Sequence, residues 1–580
     1  MLKQLAGCVR EYKRPTILTL IFIVGEAVIE TIIPFITANL VNRIKAGASI
    51  ESVMEVGLLL IIMAAISLVC GGLAGFTCAK ASTGFAKNLR SDLFHRIQTY
   101  SFENIDKFSS SSLVTRMTTD VTNVQMAFMM LIRIAIRSPL LLIFSTVMAF
   151  VMGGKLAFVF VVVIPILAFG LLAIGKKAMP AFRSVFKKYD RLNESIEENV
   201  RGMRVVKGFS REEYEKQKFN TAADNIRKDF TKAECIVALN TPLMNLCMYI
   251  NMVVVLLVGS KLAITSGGSA LDVGQISGML TYGMQILMSL MMLSMIYVMV
   301  TMSAESAKRI CEVLEEEPSL KEPEHPVMEV KDGSIEFKNV NFKYSAKAKK
   351  YALSSIDLSI RSGMTVGIIG GTGSSKSSLV QLIPRLYDVT EGAVLVGGVD
   401  VRDYDIPTLR SAVAMVLQKN VLFSGTIRDN LRWGNETATD EEIMEACRLS
   451  QADEFIQTFP DKYDTYIEQG GSNVSGGQKQ RLCIARALLK KPKILILDDS
   501  TSAVDTKTDA LIRAGFKNYI PDTTKIIIAQ RIASVEDADL IIVMDNGSIS
   551  AAGTHEDLLQ SSDIYREVYE QQTKGGNENE

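Results

Sequence analysis

The sequence lacks any excess of charge of one sign. Its 580 residues include 63 lysines and arginines and 63 aspartates and glutamates, so the formal net charge is zero. Proteins that hold nucleic acid through bulk electrostatics need a surplus of positive charge. The balance therefore argues against that class of protein, and we expect no nucleic-acid partner.

The sequence also lacks the cysteine spacing of a metal site or of a disulfide framework. Its eight cysteines are scattered, and no two of them form a C-x-x-C pair. Structural zinc sites and disulfide-rich domains depend on closely spaced cysteines. Small buried or lipid-facing thiols are the simpler interpretation, so we predict neither a zinc site nor a disulfide framework.

What the sequence does have is long apolar runs, which lie in residues 1–305. Hydrophobic residues make up 48% of the chain, and a helix needs about 20 apolar residues in succession to cross a bilayer. Six segments are long enough, at about 16–42, 54–79, 124–151, 156–175, 240–264 and 272–302. We therefore predict a multi-pass protein of the lipid bilayer with six long helical spans.

Lysines and arginines are unevenly distributed among the connections between these spans. The connections between spans two and three and between spans four and five are long, basic and helical in pattern, whereas the others are short and carry few basic residues. Basic residues are enriched on the cytoplasmic side of membranes. We expect the long connections to continue the membrane helices into the cytoplasm, where the N- and C-termini also lie.

The character of the sequence changes near residue 315. Residues 315–332 are charged and rich in proline, which is typical of a linker. After it, short apolar runs such as TVGIIG, ILILDD and KIIIAQ alternate with helical stretches, as in a parallel sheet buried on both faces. The sequence therefore predicts a membrane α-helical domain over 1–314, an α/β domain over 333–570 and a disordered tail over 571–580.

The segment GGTGSSKS has the form of a phosphate-binding loop between a strand and a helix. Backbone N–H groups hold the phosphates, Lys376 reaches the β and γ oxygens, and Ser377 ligates Mg²⁺. The pattern requires glycine at position 375, but this sequence has Ser375 there. A side chain at this position can crowd the phosphates or oppose the required backbone angle. The residues predicted to bind the nucleotide here are Gly370, Gly371, Thr372, Gly373, Ser374, Ser375, Lys376, Ser377 and Ser378.

Two further motifs supply groups that suit a nucleotide. KILILDD is an apolar strand that ends in carboxylates, and its Asp498 is placed to hold the shell of the Mg²⁺ ion. Between the loop and this strand, the residues that open a second helix are Ser475, Gly476, Gly477 and Gln478. The N-terminus of that helix is a second anion-binding position, separate from the first.

Together these motifs resemble those of the ATP-binding cassette (ABC) exporters, in the form of a half-transporter with six spans and one cassette. GGTGSSKS is similar to Walker A, VLQKN to the Q-loop, VSGGQ to the signature, ILILDD to Walker B, and SAVD at 502–505 to the D-loop. Segments 110–121 and 198–213 resemble regions beside the family's coupling helices. The resemblance implies that Tyr344 stacks on adenine and that Gln418 of the Q-loop acts at the nucleotide and its Mg²⁺ ion.

Three departures from the family pattern concern the nucleotide site. The resemblance implies that Asp499 stands where a glutamate polarises the attacking water, and that Gln530 stands where a histidine contacts the γ-phosphate. Aspartate is one methylene shorter, and a misplacement of about 1 Å can lower a rate about 10²-fold. Glutamine cannot take a proton or carry charge. With Ser375, these residues predict an ATP-hydrolysing translocase whose own Walker site hydrolyses weakly or not at all.

The family's two cassettes enclose two ATP molecules, and each site takes its signature from the opposite chain. All three departures would then fall in one site, while the lent residues Ser475 to Gln478 are intact apart from Val474, where leucine is usual. We expect an obligate heterodimer with a second ABC half-transporter that supplies the Walker B glutamate and the switch histidine. A homodimer with two poor sites is the alternative.

The membrane half contains features suited to a substrate path or to ordinary packing. In the first span, Glu26 and Glu30 lie on one face; they either attract cationic compounds, or are neutral or bonded to polar groups of neighbouring helices. In the third span, Arg133 and Arg137 are expected to snorkel at the cytoplasmic headgroup level. A flexible methionine stripe, which suits either a substrate path or helix and lipid contacts, consists of Met284, Met288, Met291, Met295, Met299 and Met302.

The sequence thus predicts an ATP-driven exporter subunit of the plasma membrane that moves small hydrophobic or amphipathic compounds, including multiple drugs, out of the cell. Its cofactors are ATP and Mg²⁺. One alternative is a dedicated exporter of one lipid or peptide. Another is a nucleotide-gated channel or regulatory subunit in which bound ATP does no work.

Overall fold

The computed structural model describes residues 1–267, 271–345, 348–499 and 505–576. The chain forms two compact units, one of Met1–Gln98 with Ser109–Glu316, the other of Thr99–Phe108 with the chain from Glu317 onward. The division at Glu316 lies within the predicted linker. Residues 99–108, which the sequence assigned to the membrane domain, belong instead with the α/β unit.

Helices make up most of the first half of the chain. In chain order they are α1 (Leu2–Gly7), α2 (Lys13–Lys45), α3 (Ile50–Gln98), α4 (Phe102–Phe108), α5 (Ser110–Thr115), α6 (Val121–Gly153), α7 (Phe158–Arg201), α8 (Met203–Gly208), α9 (Glu212–Val237), α10 (Asn240–Thr265) and α11 (Val273–Glu315). The six predicted spans lie in α2, α3, α6, α7, α10 and α11. In the described part of the chain, five continuous helical stretches are long and apolar enough to cross a membrane, and one of them, Ser110–Phe182, contains both the third and the fourth predicted span.

The long helices continue beyond the predicted spans. Helix α3 has 49 residues, which corresponds to about 74 Å at about 1.5 Å per residue, whereas the hydrocarbon core of a bilayer is about 30 Å thick. The basic connection between spans two and three is therefore partly a continuation of α3, as its helical patterning predicts.

Small residues allow the membrane helices to pack closely. A Cβ atom at Gly274 of α11 would lie 2.0 Å from the carbonyl oxygen of Ala38 in α2. The hydroxyl of the buried Tyr282 donates a hydrogen bond of 2.6 Å to the carbonyl oxygen of Thr31. Glycine at a helix interface and polar bonds between helices are common ways of joining membrane helices, and here both join α11 to α2.

The second unit alternates strands and helices. Its strands are β1 (Ile335–Phe342), β2 (Leu353–Ile360), β3 (Thr365–Gly370), β4 (Glu391–Val396), β5 (Val399–Asp400), β6 (Val413–Val416), β7 (Gly425–Thr426), β8 (Tyr466–Ile467), β9 (Ile494–Asp498), β10 (Thr524–Ile528), β11 (Leu540–Asp545) and β12 (Ser548–Gly553). Its further helices are α12 (Lys376–Gln381), α13 (Ile406–Ala412), α14 (Ile427–Arg432), α15 (Asp440–Leu449), α16 (Asp453–Thr458), α17 (Gly476–Leu489), α18 (Thr506–Tyr519), α19 (His555–Ser561) and α20 (Asp563–Gly576).

A parallel sheet forms the centre of this unit. Its strand order is β12-β11-β3-β10-β9-β6, and all pairs except β11 with β12 are parallel. Every residue of β9 and β10 is buried, as expected for strands covered on both faces. A second, antiparallel sheet has the order β2-β1-β4-β5. The predicted α/β class of this unit is confirmed.

The C-terminal helix differs from the predicted disordered tail. Helix α20 continues to Gly576, and residues 577–580 lie outside the described residues. The buried Tyr565 of α20 places its hydroxyl 2.7 Å from Nδ1 of His555 in α19. Such tertiary contacts stabilise a helix whose polar composition alone does not predict it.

Candidate functional site

Four strands of the parallel sheet bring their carboxyl ends, and the residues that follow them, to one edge. The loop 370–377 begins at the end of β3, Asp498 ends β9, Gln418 comes two residues after β6, and Gln530 comes two residues after β10. Since β3, β10, β9 and β6 are adjacent and parallel, all these residues lie at the same edge of the sheet. This is the edge where open α/β sheets bind ligands.

The backbone of the loop shows why glycine is favoured at several of its positions. A Cβ atom at Gly370 would lie 2.3 Å from the carbonyl oxygen of Met544, and Gly373 has a φ of +84°. Ser375 adopts φ +70° and ψ +26°, in the left-handed region. The left-handed conformation costs a non-glycine residue roughly 1–2 kcal/mol. The serine therefore accepts the backbone angle of the loop at an energetic cost, rather than forbidding it.

The side chain of Lys376 lies along the phosphate-binding loop. Its Nζ donates hydrogen bonds of 2.8 and 2.9 Å to the carbonyl oxygens of Gly370 and Gly371. Burial lowers the pKa of Lys376, while the nearby carboxylates of Asp499 and Asp498 act in the opposite direction. The lysine thus provides a cation between the loop and the carboxylates at the end of β9.

Ser377 and Asp498 form a pair of oxygen donors suited to a hard cation. The hydroxyl of Ser377 donates a hydrogen bond of 3.0 Å to Oδ1 of Asp498. Burial raises the pKa of Asp498, and the negative charge of Asp499 adds to this, so the carboxylate favours a positive neighbour. No group of three or more His, Cys, Asp or Glu side chains among the described residues can hold a metal on its own. Mg²⁺, however, often takes one or two protein ligands and completes its shell with phosphates and water, so Ser377 and Asp498 fit that ion.

Asp499 is engaged by two amide side chains. Its Oδ2 accepts a hydrogen bond of 2.8 Å from Nε2 of Gln530 and one of 3.3 Å from Nε2 of Gln418. The backbone N–H of Asp499 also donates to the carbonyl oxygen of Ile528 at 3.0 Å, at the end of β10. The structure thus brings together the three side chains that the sequence assigned to hydrolysis and the Q-loop, and it joins them through one carboxylate oxygen.

Gln572 fixes the backbone around Gln530. Its Nε2 donates to the carbonyl oxygen of Gln530 at 2.8 Å, and its Oε1 accepts from the backbone N–H of Ile532 at 2.9 Å. The sequence placed Gln572 in the disordered tail, and no local pattern marks it. Only the packing of α20 brings it to this loop.

Tyr344 lies beside the loop, within a group of aromatic rings. Its hydroxyl is 2.7 Å from Oγ of Ser378, and its ring meets those of Phe342 and Tyr387 edge to face, at centroid distances of 4.8 and 5.2 Å. The exposed fraction of Tyr344 is 42%, so part of the ring is accessible. This arrangement is compatible with the stacking role that the sequence resemblance implies.

The signature residues open helix α17 as expected. Ser475 is the N-cap residue: its Oγ accepts from the backbone N–H of Gln478 at 3.3 Å, and the backbone N–H of Ser475 donates to Oε1 of Gln478 at 2.9 Å. This reciprocal capping box orders the first turn. Gly476 is exposed, whereas Val474 is buried in the core. Among the described residues, no hydrogen bond joins these four residues to the loop 370–377.

Both units of the chain match models of known protein families. The family model of the ABC transporter transmembrane region matches residues 16–290, and that of the ABC transporter matches residues 353–502. The ABC transporter ATP-binding protein YfiB of Bacillus subtilis (strain 168) is 36% identical over 555 residues, which cover 96% of each chain. The chain belongs to the ABC transporter family.

Two further relatives extend the comparison. The ABC transporter ATP-binding protein Rv1273c of Mycobacterium tuberculosis (strain ATCC 25618 / H37Rv) is 35% identical over 564 residues, 96% of each chain. The structure of a bacterial Atm1-family ABC exporter with ATP bound superposes with a TM-score of 0.82 at 24% identity, and the match covers 96% of this chain and 98% of that one. The ABC transporter described here therefore has the exporter fold. As a half-transporter it resides in a membrane, binds ATP, drives transport by ATP hydrolysis and pairs with another ABC subunit.

The D-loop of the transporter is only partly described. Residues 502–504 lie outside the described residues. Asp505 is the N-cap residue of α18, and its side chain accepts a hydrogen bond of 2.9 Å from the backbone N–H of Thr508.

In the membrane unit of the transporter, the two glutamates have a basic partner. Arg137 of α6 lies 2.7 Å from Oε2 of Glu30 and 3.6 Å from Oε1 of Glu26, both in α2. Of the interpretations left open by the sequence, bonding to a neighbouring helix describes Glu30 best. Arg137 thus forms an ion pair with α2, a contact that the sequence did not predict.

The methionine stripe is largely accessible in the isolated chain. Met284, Met288, Met295 and Met302 are exposed, and Met291 and Met299 are half-buried. Gln285, beside Met284, donates to the carbonyl oxygen of Glu30 at 3.3 Å. The stripe and the Glu30–Arg137 pair are therefore neighbours in the membrane unit.

Proposed function

We propose that this chain is the subunit of a heterodimeric exporter that holds ATP in a slow or non-hydrolysing site and lends its signature to the catalytic site of a partner. The observation that carries this proposal is the double engagement of Asp499. Both Gln418 and Gln530 donate to the same carboxylate oxygen, at 3.3 and 2.8 Å. These bonds occupy two of the about four acceptor positions of the carboxylate and hold it against the two glutamines, which leaves fewer positions for an attacking water.

The short side chain of Asp499 also makes it a weaker general base than glutamate would be. Aspartate places its carboxylate about 1.5 Å closer to the backbone than glutamate does, and a displacement near 1 Å costs about 10²-fold in rate. Gln530 can donate to the γ-phosphate but cannot carry the positive charge or the proton that a histidine would supply. These two changes leave contacts that bind phosphate and remove those that would help to cleave it.

The binding half of the site supports retention of ATP. Lys376 bonds to the loop at Gly370, and Ser377 bonds to Asp498. We assign Ser377, Asp498 and Gln418 to Mg²⁺. When bound, this ion would neutralise phosphate charge and orient the phosphates. Tyr344 would stack on the adenine ring, and the loop from Gly370 to Ser378 would hold the phosphates through its backbone N–H groups.

The signature supports a role in the partner's site. Ser475 and Gln478 preorganise the first turn of α17 by capping it, and a helix N-terminus favours a γ-phosphate presented by another chain. The partner would be a second ABC half-transporter with the Walker B glutamate and the switch histidine. ATP binding would close the two cassettes and turn the membrane cavity outward, and hydrolysis at the partner's site would reset it.

The proposed cargo consists of small hydrophobic or amphipathic compounds, including multiple drugs. The exposed methionines of α11 offer a flexible, polarisable surface, and the Glu30–Arg137 pair adds a polar position beside it. The proposed location is the plasma membrane, with both termini in the cytoplasm, on the basis of the basic connections.

Comparing the chain alone with the assembled pair tests this proposal. The chain would be produced by itself and with a second half-transporter that carries the Walker B glutamate and the switch histidine, and ATP hydrolysis per complex would be measured in lipid nanodiscs. We expect the chain alone to be about 10²-fold slower than the pair. Equal rates would contradict the division of labour.

Uphill transport tests the exporter itself. Inside-out vesicles containing the pair should accumulate ethidium above its external concentration when ATP is added. Flux that only dissipates a gradient would indicate a nucleotide-gated channel. Movement of one lipid or peptide without ethidium would indicate a dedicated exporter.

A further inference from the structure

A groove runs between helices α7 and α10 of the membrane unit, and we call it the α7–α10 groove. It has a volume of about 550 Å³, which lies within the range of about 300–1,000 Å³ that is typical of ligand pockets. Side chains four residues apart lie on one face of a helix, and each wall of the groove is such a row. The wall of α7 consists of Phe158, Val162 and Ile166, and that of α10 consists of Ile250, Val254, Val258 and Leu262.

The groove has a closed floor and an open side. Val163 and Cys247 line the floor and are 6% and 4% exposed, whereas Val162 of the wall is 59% exposed. Near one end, a Cβ atom at Gly259 would lie 3.4 Å from Cδ2 of Leu156. The helices therefore pack closely at the floor, and the groove opens at the surface of the membrane unit.

The length of the groove matches the depth of one leaflet of a bilayer. The wall of α10 extends from Ile250 to Leu262, which corresponds to about 18 Å at about 1.5 Å per residue. Half of the hydrocarbon core of a bilayer is about 15 Å thick. Both walls lie in helical stretches that are long and apolar enough to cross a membrane. The groove thus has the length and the apolar lining to hold one acyl chain.

One end of the groove carries a positive charge. Among the described residues that line the groove, Lys155 alone is charged, and the next residue, Leu156, packs against Gly259 near the end of α10. Lys155 is exposed, and no hydrogen bond or ion pair engages its ammonium group within the described part of the chain. The lysine is therefore available to an anion at the end of an apolar groove.

The charge of a lipid headgroup distinguishes the lipids that this groove can hold. Lipid chains are as apolar as the side chains of the walls, so burial of a chain favours no lipid over another. The ammonium group of Lys155 favours a headgroup with a net negative charge, and one lysine near an anionic membrane surface changes binding about fivefold. We therefore expect the headgroup, rather than the length of the chain, to decide which lipid binds.

We propose that the α7–α10 groove binds one acyl chain of an anionic phospholipid whose phosphate pairs with Lys155. Lys155 lies in a short connection, opposite the long basic ones, so the proposed orientation of the chain puts this lipid in the outer leaflet. The proposal does not depend on which ATP site hydrolyses. It adds a bound lipid at a site lined by neither the methionine stripe nor the Glu30–Arg137 pair.

Photolabelling of the assembled pair in nanodiscs tests the proposal. The probes are phosphatidylglycerol and phosphatidylcholine that carry the same diazirine on one acyl chain. Each is added in trace amount to phosphatidylcholine nanodiscs, and labelled peptides are mapped by mass spectrometry. We expect phosphatidylglycerol to label 158–166 and 250–262 about fivefold more than phosphatidylcholine does. Leu68 of α3, which is 77% exposed, is the internal reference and should take both probes equally.

Three variants assign the preference to the groove and its lysine. Lys155→Gln removes the charge, so both lipids should then label the groove equally. Lys261→Gln is the matched control, because Lys261 is an exposed lysine near the same end of α10 that does not line the groove; it should keep the preference. Val162→Trp fills the groove from an exposed wall position and should lower labelling by both lipids without changing that at Leu68.

Three results would overturn the proposal. Equal labelling of the groove by the two lipids, or a preference that survives Lys155→Gln, would show that Lys155 does not bind the headgroup. An unlabelled groove with normal labelling at Leu68 would show that another part of the pair covers it. Equal loss of the preference in Lys261→Gln would assign it to the general charge of this membrane surface. Both leaflets of a nanodisc contain the probes, so none of these results depends on the proposed orientation.

Discussion

The nucleotide site of this transporter chain and its signature, which we propose that it lends to a partner, differ in how their polar side chains are bonded. We call them the kept site and the lent signature. In the kept site, Asp499 is tied by two glutamines and Ser375 holds a left-handed angle. In the lent signature, Ser475 and Gln478 cap α17 with a complete capping box. One region combines binding groups with changed catalytic groups, and the other is an ordered anion-binding turn. This difference supports our proposal that the chain holds nucleotide in one site and assists hydrolysis in another.

Blocking the signature should have the largest effect. Gly477→Asp adds a carboxylate at the N-terminus of α17, where it suits the helix dipole but repels the partner's γ-phosphate. We expect hydrolysis by the pair to fall about 10²-fold or more, as when a catalytic donor is removed. Thr437→Asp, at an exposed position of the cassette, is the control for added charge. If both variants hydrolyse normally, the signature is not part of the productive site.

Restoring the family's catalytic residues in the kept site should allow that site to hydrolyse ATP. In a pair already carrying Gly477→Asp, the double change Asp499→Glu and Gln530→His should raise residual hydrolysis by up to about 10²-fold. Asp499→Asn with Gln530→His lacks the carboxylate and should stay slow. Single-turnover rates distinguish the two. No recovery with the glutamate and histidine would show that these residues do not limit the site.

Loosening Gln530 should have a moderate effect. Gln572→Ala removes two hydrogen bonds to the backbone around Gln530, and a net loss of about 1 kcal/mol corresponds to about a fivefold change in an equilibrium. ATP should leave this chain about fivefold faster, as followed with a fluorescent ATP analogue. Gln571→Ala is the adjacent control, since Gln571 bonds only to Glu567 of its own helix among the described contacts. If both variants release the ATP analogue at the same rate, Gln572 does not hold Gln530 in a position that retains ATP.

Replacing the serine of the loop should have the smallest effect on binding. Because Ser375 already adopts the left-handed angle, Ser375→Gly should stabilise the cassette by about 0.5–1 kcal/mol and raise the thermal unfolding temperature of the pair slightly. ATP affinity should change less than about twofold, since no rearrangement is relieved on binding. A large rise in affinity would mean that the side chain obstructs the phosphates.

The parts of the site that are contiguous in sequence were predictable. The loop 370–377, Asp498 and the opening of α17 each follow from a short motif with its own strand or helix. The hydrogen bonds of Tyr387 with Asp106, separated by 281 residues, and of Gln572 with Gln530, separated by 42, depend on packing between distant segments. No local pattern encodes such pairs.

The differences between the predicted and the observed fold also depend on contacts between distant segments. The sequence of residues 99–108 indicates part of a membrane connection. In the structure, the buried side chain of Asn104 bonds to the backbone of Ser319 and Glu317, and these bonds attach residues 99–108 to the cassette. The charges of Glu30 and Arg137 were visible in separate spans, but their pairing depends on how α2 packs against α6.

The most direct measurement is the fate of nucleotide on each chain of the assembled pair. The pair would be loaded with radiolabelled, photoreactive azido-ATP, allowed one turnover, crosslinked by light and separated into its two chains. We expect uncleaved ATP on this chain and ADP on its partner. ADP formed on both chains at the same rate would contradict it.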